Sequence, residues 1–178
     1  MKRSLPYLLL IAAVVGLDQL TKALIVRSIG LHDYVPLVDG LLSLSHVHNH
    51  GAAFGLLSDW NLPYQSLLLS VLSLLALGAI ATYFVHLPAP ARLPRLALGL
   101  VLGGAVGNVI DRLRLGYVVD FVHVYWRDYQ WPDFNVADSA ITIGVALLVI
   151  DILTSPEPQA QAAASGIDKA ATTAGRTD

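Results

Sequence analysis

The sequence predicts an integral membrane protein, mainly α-helical, with four transmembrane helices. Of its 178 residues, 55% are hydrophobic and only 13% are charged, whereas a soluble domain usually carries about 25% charged residues. The apolar residues gather in four long runs, and the charged residues lie mainly in the gaps and towards the C-terminus. Runs of this length are sufficient to cross a bilayer as helices.

The four runs give approximate helix bounds of 5–26, 63–85, 94–112 and 137–153. The first run follows Lys2-Arg3 and could be mistaken for a signal peptide, but it continues through Asp18 and Lys22 without a convincing cleavage site. The third run carries glycines at spacings that let helices approach closely in a bilayer: Gly99, Gly103, Gly104 and Gly107.

The two longer connections, 27–62 and 113–136, are predicted to lie on the extracytoplasmic side. Polar and apolar residues alternate from Leu42 to His48, which is typical of a strand, so we expect a small β-sheet or cradle between helices 1 and 2. The second connection is rich in Tyr and Trp, which favour the membrane interface. The Lys2-Arg3 pair favours cytoplasmic N- and C-termini. We expect one membrane domain over 1–155 and a disordered tail over 156–178.

Composition excludes several kinds of chemistry. The chain has no cysteine, so disulfides, thiolate nucleophiles and cysteine-ligated zinc are ruled out. A net charge of −2 argues against a nucleic-acid partner. His46, His48 and His50 recur at every second position, but no His-Glu-x-x-His motif accompanies them. We therefore predict neither a metal nor another cofactor.

Charged residues within the apolar runs are the candidates for a functional site. Asp18 and Lys22 are four residues apart in the first helix, which suits either a structural ion pair or a functional site. Asn108, Asp111 and Arg112 fall three or four apart at the end of the third helix. One such residue alone would be explained by a polar helix end, whereas three on one face favour a site.

Asp120 lies in an apolar run, and Asp138 lies at the start of the fourth helix. Asp120 could instead pair with an arginine in a turn, and Asp138 could be a helix N-cap. Two carboxylates held close together share a proton, so one can activate water while the other protonates a carbonyl. Asp111 and Asp133 are also available, and spacing alone does not choose the pair.

Five blocks in order resemble lipoprotein signal peptidase, also called signal peptidase II. The resemblance covers roughly 17–150, and its five blocks, on four predicted spans, are very specific together. They read Asp18-Gln19-Leu20-Thr21-Lys22, Asn49-His50-Gly51-Ala52-Ala53-Phe54, Gly103 through Arg112, Val118-Val119-Asp120-Phe121 and Phe134-Asn135-Val136-Ala137-Asp138-Ser139.

The resemblance implies an aspartic endopeptidase of the bacterial inner membrane. Such an enzyme removes signal peptides from diacylglyceryl-modified prolipoproteins, cuts just before the lipidated cysteine and is blocked by globomycin. It implies a catalytic pair of Asp120 and Asp138. It also implies residues that bind substrate or support the site: Asp18, Lys22, Asn49, Gly51, Asn108, Asp111, Arg112 and Asn135. His50 departs from the threonine usual in the second block.

Two other functions are compatible with the residues. A small transporter or proton relay could use Asp18, Asp120 and Asp138, but a relay needs carboxylates distributed across the bilayer. A Ser–His protease could use Ser139, but the Gly-x-Ser-x-Gly context is missing. A purely structural bundle leaves the polar constellation unexplained.

Overall fold

The computed structural model describes residues 4–51, 64–88 and 90–154, apart from the side chains of 65 and 66. The predicted disordered tail over 156–178 lies outside these residues, as do residues 52–62 of the first long connection. The chain divides into two compact units at Leu148, and the described part of the second unit is the end of the last helix.

Four helices form the membrane part: α1 (Leu5–Ser28), α2 (Gln65–His86), α3 (Arg92–Leu115) and α4 (Val136–Thr154). Each contains a segment long and apolar enough to cross a membrane, so the predicted four spans are confirmed. α3 ends at Gly116, whose φ of 82° is left-handed and whose N–H donates to the Arg112 carbonyl at 3.1 Å. Glycine adopts this conformation without steric cost.

α3 is the inner helix. Within its most apolar 18-residue stretch 61% of residues are buried, against 22%, 11% and 22% for α1, α2 and α4. A Cβ added at Gly103 would lie 2.8 Å from the Val14 side chain, and one at Gly104 would collide with the Ala137 carbonyl. The predicted role of these glycines is confirmed, because their missing side chains let α1 and α4 approach α3 closely.

The sheet has four antiparallel strands in the order β1-β2-β3-β4: Tyr34–Val38, Leu42–Asn49, Val118–Trp126 and Tyr129–Gln130. The prediction of a sheet built between helices 1 and 2 is therefore incomplete, because β3 and β4 come from the second connection. Residues 118–126 are rich in Val, Phe, Tyr and Trp, a composition typical of strands. Tyr125, Trp126 and Tyr129 thus lie in strands, which a role as interface anchors alone does not predict.

The pairing of β2 with β3 joins the two connections. Val47 faces Asp120 and Asn49 faces Val118 across this pair, with a bulge in β2 between Leu44 and Val47. Phe121 packs with Ile25 and Ile29 in a buried cluster at the end of α1. This contact fixes β3, and with it Asp120, to the helical bundle.

Candidate active site

Asp120 and Asp138 converge although they lie on different elements. Asp120 is 1% exposed on β3, and Asp138 is 4% exposed in the first turn of α4. Both carboxylates bond to the same residue, Asn135, which is itself fully buried. The alternative of Asp120 as a turn residue paired with an arginine is wrong, because Asp120 lies within a strand and accepts from two asparagines.

Asn135 connects the two carboxylates and caps α4. Its Nδ2 donates to Asp120 Oδ1 at 2.6 Å, and its Oδ1 accepts from the Asp138 N–H at 2.9 Å. Its own N–H donates to Asp138 Oδ2 at 3.3 Å. This reciprocal pair is a capping box, so Asn135, and not Asp138, is the N-cap.

The second oxygen of Asp120 is held from β2. Asn49 Nδ2 donates to Asp120 Oδ2 at 2.8 Å, and Asn49 Oδ1 accepts from the Gly51 N–H at 2.8 Å. Arg112 Nη2 in turn donates to the Gly51 carbonyl at 3.0 Å. Arg112 and Gly51 thus position the turn that orients Asn49.

Asp138 is held from α3 by Asn108, which a buried lysine contacts in turn. Asn108 Nδ2 donates to Asp138 Oδ1 at 2.8 Å, and Asn108 Oδ1 accepts from Lys22 Nζ at 2.9 Å. Lys22 Nζ also lies 2.9 Å from Asp18 Oδ2 and 2.9 Å from Asp111 Oδ2. The predicted Asp18–Lys22 ion pair is confirmed, and it forms part of a network that extends to Asp138.

The Asp18 and Asp111 carboxylates also hold backbone groups. Asp18 Oδ1 accepts from the Ala137 N–H at 2.9 Å, and Asp111 Oδ2 accepts from the Val119 N–H at 3.2 Å. These bonds tie α1 to the start of α4 and α3 to β3. The network therefore fixes the segments on either side of both catalytic candidates.

One residue of the network, Gln19, was not predicted as a site residue. Its Nε2 donates to Asp111 Oδ1 at 2.8 Å and lies 3.2 Å from the Gly107 carbonyl. The sequence feature that could have indicated Gln19 as a site residue is its position next to Asp18 in an apolar run. Gln19 reaches the third helix by extending beside Asp18, which sequence spacing does not reveal.

Burial and the neighbouring Asp138 carboxylate raise the pKa of Asp120 from its ordinary value of 3.8 to about 7. The hydrogen bonds from Asn49 and Asn135 act in the opposite sense, because they stabilise the ionised form. Near neutral pH, Asp120 therefore exchanges its proton readily. A carboxyl group in this state is suited to general acid–base chemistry.

Two grooves lead to Asp138. One, of about 230 Å³, lies among α2, α3 and α4 and reaches Asn108, Arg112 and Asp138. The other, of about 280 Å³, is lined by Asp138 and by the largely apolar side chains of Trp131, Phe134 and Ile143. The carboxylate is thus accessible from apolar surroundings on two sides.

The histidines of β2 have other contacts. His46 Nδ1 lies 2.9 Å from the Ile29 carbonyl, and the His48 ring stacks on Tyr117 with centroids 3.7 Å apart. In the part of the chain that the structure describes, no three metal-ligating side chains come together as a metal site.

The carboxylates and amides described above form one continuous buried network. The family model described as Signal peptidase (SPase) II matches residues 10–154. The chain belongs to the signal peptidase II family. This peptidase is thus a membrane-embedded aspartic peptidase. The alternatives of a transporter and of a Ser–His protease are therefore wrong, because the family is one of aspartic peptidases.

Relatives match most of the peptidase. The lipoprotein signal peptidase of Geobacter sulfurreducens is 48% identical over 145 residues, which cover 80% of this chain and 89% of that protein. That of Geobacillus thermodenitrificans is 41% identical over 157 residues, covering 88% and 95%. A bacterial membrane enzyme solved by the in meso method at 1.9 Å resolution superimposes with a TM-score of 0.75 at 31% identity, covering 85% of this chain and 94% of that one.

Proposed function

We propose that this peptidase removes signal peptides from diacylglyceryl-modified prolipoproteins by cutting just before the lipidated cysteine. Family membership and the relatives named lipoprotein signal peptidase support this substrate class. The two grooves that meet at Asp138 support it physically. A lipidated substrate requires apolar contact for its acyl chains and its signal helix, and polar groups at the scissile bond.

The observation that carries the catalytic assignment is the bridge made by Asn135 between Asp120 and Asp138. Asp138 lies in the first turn of α4, where the helix dipole favours an ionised carboxylate. We assign it as the base. Asp120, whose pKa is raised to about 7, is assigned as the acid that carries the shared proton.

In the reaction, Asp138 takes a proton from water, and the resulting hydroxide attacks the scissile carbonyl carbon. Asp120 gives its proton to the carbonyl oxygen, which produces a neutral tetrahedral intermediate. When the intermediate collapses, the C–N bond breaks and the proton held by Asp138 passes to the leaving nitrogen. The hydroxyl that Asp120 protonated returns its proton to that residue, so both carboxyl groups recover their starting states.

The proposed location is the bacterial inner membrane, with both termini in the cytoplasm and the active site at the outer face. Four helices long and apolar enough to cross a membrane support this proposal, because an even number of crossings returns a chain to the side on which it began. The substitution Asp39→Cys, in the β1–β2 turn, tests this orientation with a thiol reagent that does not cross membranes. The reagent should label that cysteine in intact spheroplasts if the active site lies at the outer face of the membrane.

Cleavage of a diacylglyceryl-modified prolipoprotein by the purified peptidase in detergent tests the function. We expect Asp120→Asn and Asp138→Asn each to lower the rate by about a thousandfold, because each removes one proton-transfer group. Asp128→Asn, in the exposed turn between β3 and β4, is the matched control and should retain full activity. Globomycin should inhibit the wild-type peptidase.

Thermal unfolding in the same detergent separates a chemical effect from loss of fold. A folded Asp120→Asn variant with wild-type activity would disprove the catalytic pair. A wild-type peptidase that cleaves the lipidated substrate no faster than its unlipidated form would disprove the substrate assignment.

A further inference from the structure

A third groove, separate from the two that reach Asp138, lies between the C-terminal ends of α1 and α3. Its volume is about 220 Å³. Gln19, Lys22 and Asp111 form its polar floor, and Arg27 and Arg114 lie at its rim. Between floor and rim its walls are apolar, and they include Ala23, Val26 and Leu115.

The two rim arginines differ from the lysine beneath them. Lys22 is 3% exposed and is held by three acceptors on Asp18, Asn108 and Asp111. Arg27 and Arg114 are both exposed, and neither forms an ion pair within the part of the chain that the structure describes. Their guanidinium groups are therefore available to a ligand.

Arg27 and Arg114 occupy the last turns of α1 and α3, where a transmembrane helix meets the headgroup region of the bilayer. Ala23 and Val26, which line the same groove, are exposed apolar residues of α1. A ligand that suits both parts carries an anionic group at the level of the arginines and an alkyl chain beside α1.

We propose that this groove binds an anionic glycerophospholipid, with its phosphate between Arg27 and Arg114 and an acyl chain along Ala23 and Val26. Guanidinium groups bind phosphate through paired, charge-assisted hydrogen bonds. Basic pockets between transmembrane helices are a known form of anionic headgroup site. This proposal does not depend on the substrate proposed above.

The charges around the groove set the preference for an anionic lipid. Asp18 and Asp111 contribute two negative charges, which Lys22 neutralises in part. With the two arginines the local sum is +1 (three cations against two carboxylates). The carboxylates are buried below the rim, so the arginines are the charges nearest a headgroup. A phosphatidylglycerol carries an uncompensated phosphate, whereas the choline of phosphatidylcholine compensates its own.

Native mass spectrometry of the full-length peptidase, released from micelles with equal amounts of phosphatidylglycerol and phosphatidylcholine, tests the proposal. We expect wild type to retain phosphatidylglycerol in about tenfold preference, since two charge-assisted contacts are gained. The double variant Arg27→Gln/Arg114→Gln should lose that preference. Arg92→Gln/Arg127→Gln removes the same net charge from exposed arginines elsewhere and should keep it.

Equal retention of both lipids by wild type would overturn the proposal, as would an unchanged preference in the Arg27→Gln/Arg114→Gln variant. Displacement of phosphatidylglycerol by millimolar inorganic phosphate would assign the groove to a soluble anion and also overturn it. If the double variant does not fold, the single variants Arg27→Gln and Arg114→Gln replace it, and each should lower the preference about threefold.

Discussion

Asp120 Oδ1 accepts a hydrogen bond of 2.6 Å from Asn135 Nδ2, and Asn135 is also the residue that caps the helix carrying Asp138. One side chain therefore sets the position of a strand carboxylate and of a helix carboxylate at once. A shift of either element changes the distance between the two acids. This coupling explains why the site is surrounded by bonds that link separate helices and strands.

The activity of the peptidase should fall as the pH rises above about 7, because Asp120 then loses the proton that the reaction needs. Asn49→Ala removes a hydrogen bond that stabilises the ionised Asp120. The pKa of Asp120 should therefore rise further, and the alkaline limb should move to higher pH. The pH profile of kcat/KM measures this limb for the free enzyme.

Ser43→Ala is the control for the pH profile, since it lies on the same strand but bonds Tyr125 instead. It should leave the alkaline limb in place. An Asn49→Ala profile that shifts to lower pH would contradict the assignment of Asp120 as the acid.

Stability should respond to the same proton. Because the folded-state pKa of Asp120 is raised from 3.8 to about 7, the folded protein binds more protons than the unfolded chain between these values. Asp120 therefore contributes a loss of stability as the pH rises through this window. Asp120→Asn lacks that loss, which amounts to a few kcal/mol at most.

The measurement is the difference in Tm between Asp120→Asn and wild type at pH 4 and at pH 7 in one detergent. Relative to the Tm of wild type, the Tm of Asp120→Asn should be higher at pH 7 than at pH 4. Asp128→Asn should show no such trend. A difference independent of pH would mean that Asp120 ionises alike in the folded and unfolded chains.

Lys22→Met should be strongly destabilising, because it leaves the buried Asp18 and Asp111 without their shared cation. Removing one partner of a buried ion pair costs about 3–5 kcal/mol. Adding Asp111→Asn should recover part of this loss, since one uncompensated charge is then removed. Denaturant or thermal unfolding of the single and double variants gives the coupling between the two sites.

Thr21→Val is the matched control for Lys22→Met, because the Thr21 hydroxyl donates to the Leu17 and Asp18 carbonyls of its own helix. It should unfold close to the wild-type temperature. Lys22→Met with wild-type stability would show that the buried carboxylates do not need the lysine.

Gly107→Ala should impair the peptidase through Asp18. The added Cβ would lie 2.6 Å from Asp18 Oδ2, so the carboxylate must move away from the Ala137 N–H at the start of α4. We expect a loss of activity of about ten- to hundredfold from misplacement of Asp138. The cleavage assay above measures it.

Gly16→Ala is the control for Gly107→Ala, since a Cβ there meets nothing within 4 Å. It should retain full activity and gain slightly in stability, because alanine is the better helix former. Equal losses in the two variants would show that a general effect of replacing glycine, and not the contact with Asp18, is responsible.

The sequence by itself determined the four membrane helices, because an apolar run must satisfy its backbone hydrogen bonds internally in lipid. It also indicated the polar residues of the site, since charges within such runs are costly and conspicuous. Asp18, Asn108, Asp111 and Asp138 stood out for that reason. The order of the five sequence blocks indicated the family to which the chain belongs, and the family match over residues 10–154 confirmed it.

Only the tertiary structure decided which of these residues meet. The spacing of Asp111, Asp120, Asp133 and Asp138 left the catalytic pair open, and pairing of β2 with β3 is what brings Asn49 to Asp120. In contrast, Asp133, between β4 and α4, contacts the sheet: it accepts from Ser45 of β2 and lies 3.3 Å from His123 of β3. Contacts between segments far apart in the chain depend on which strands pair and on how the helices pack, and the spacing of residues within one segment determines neither.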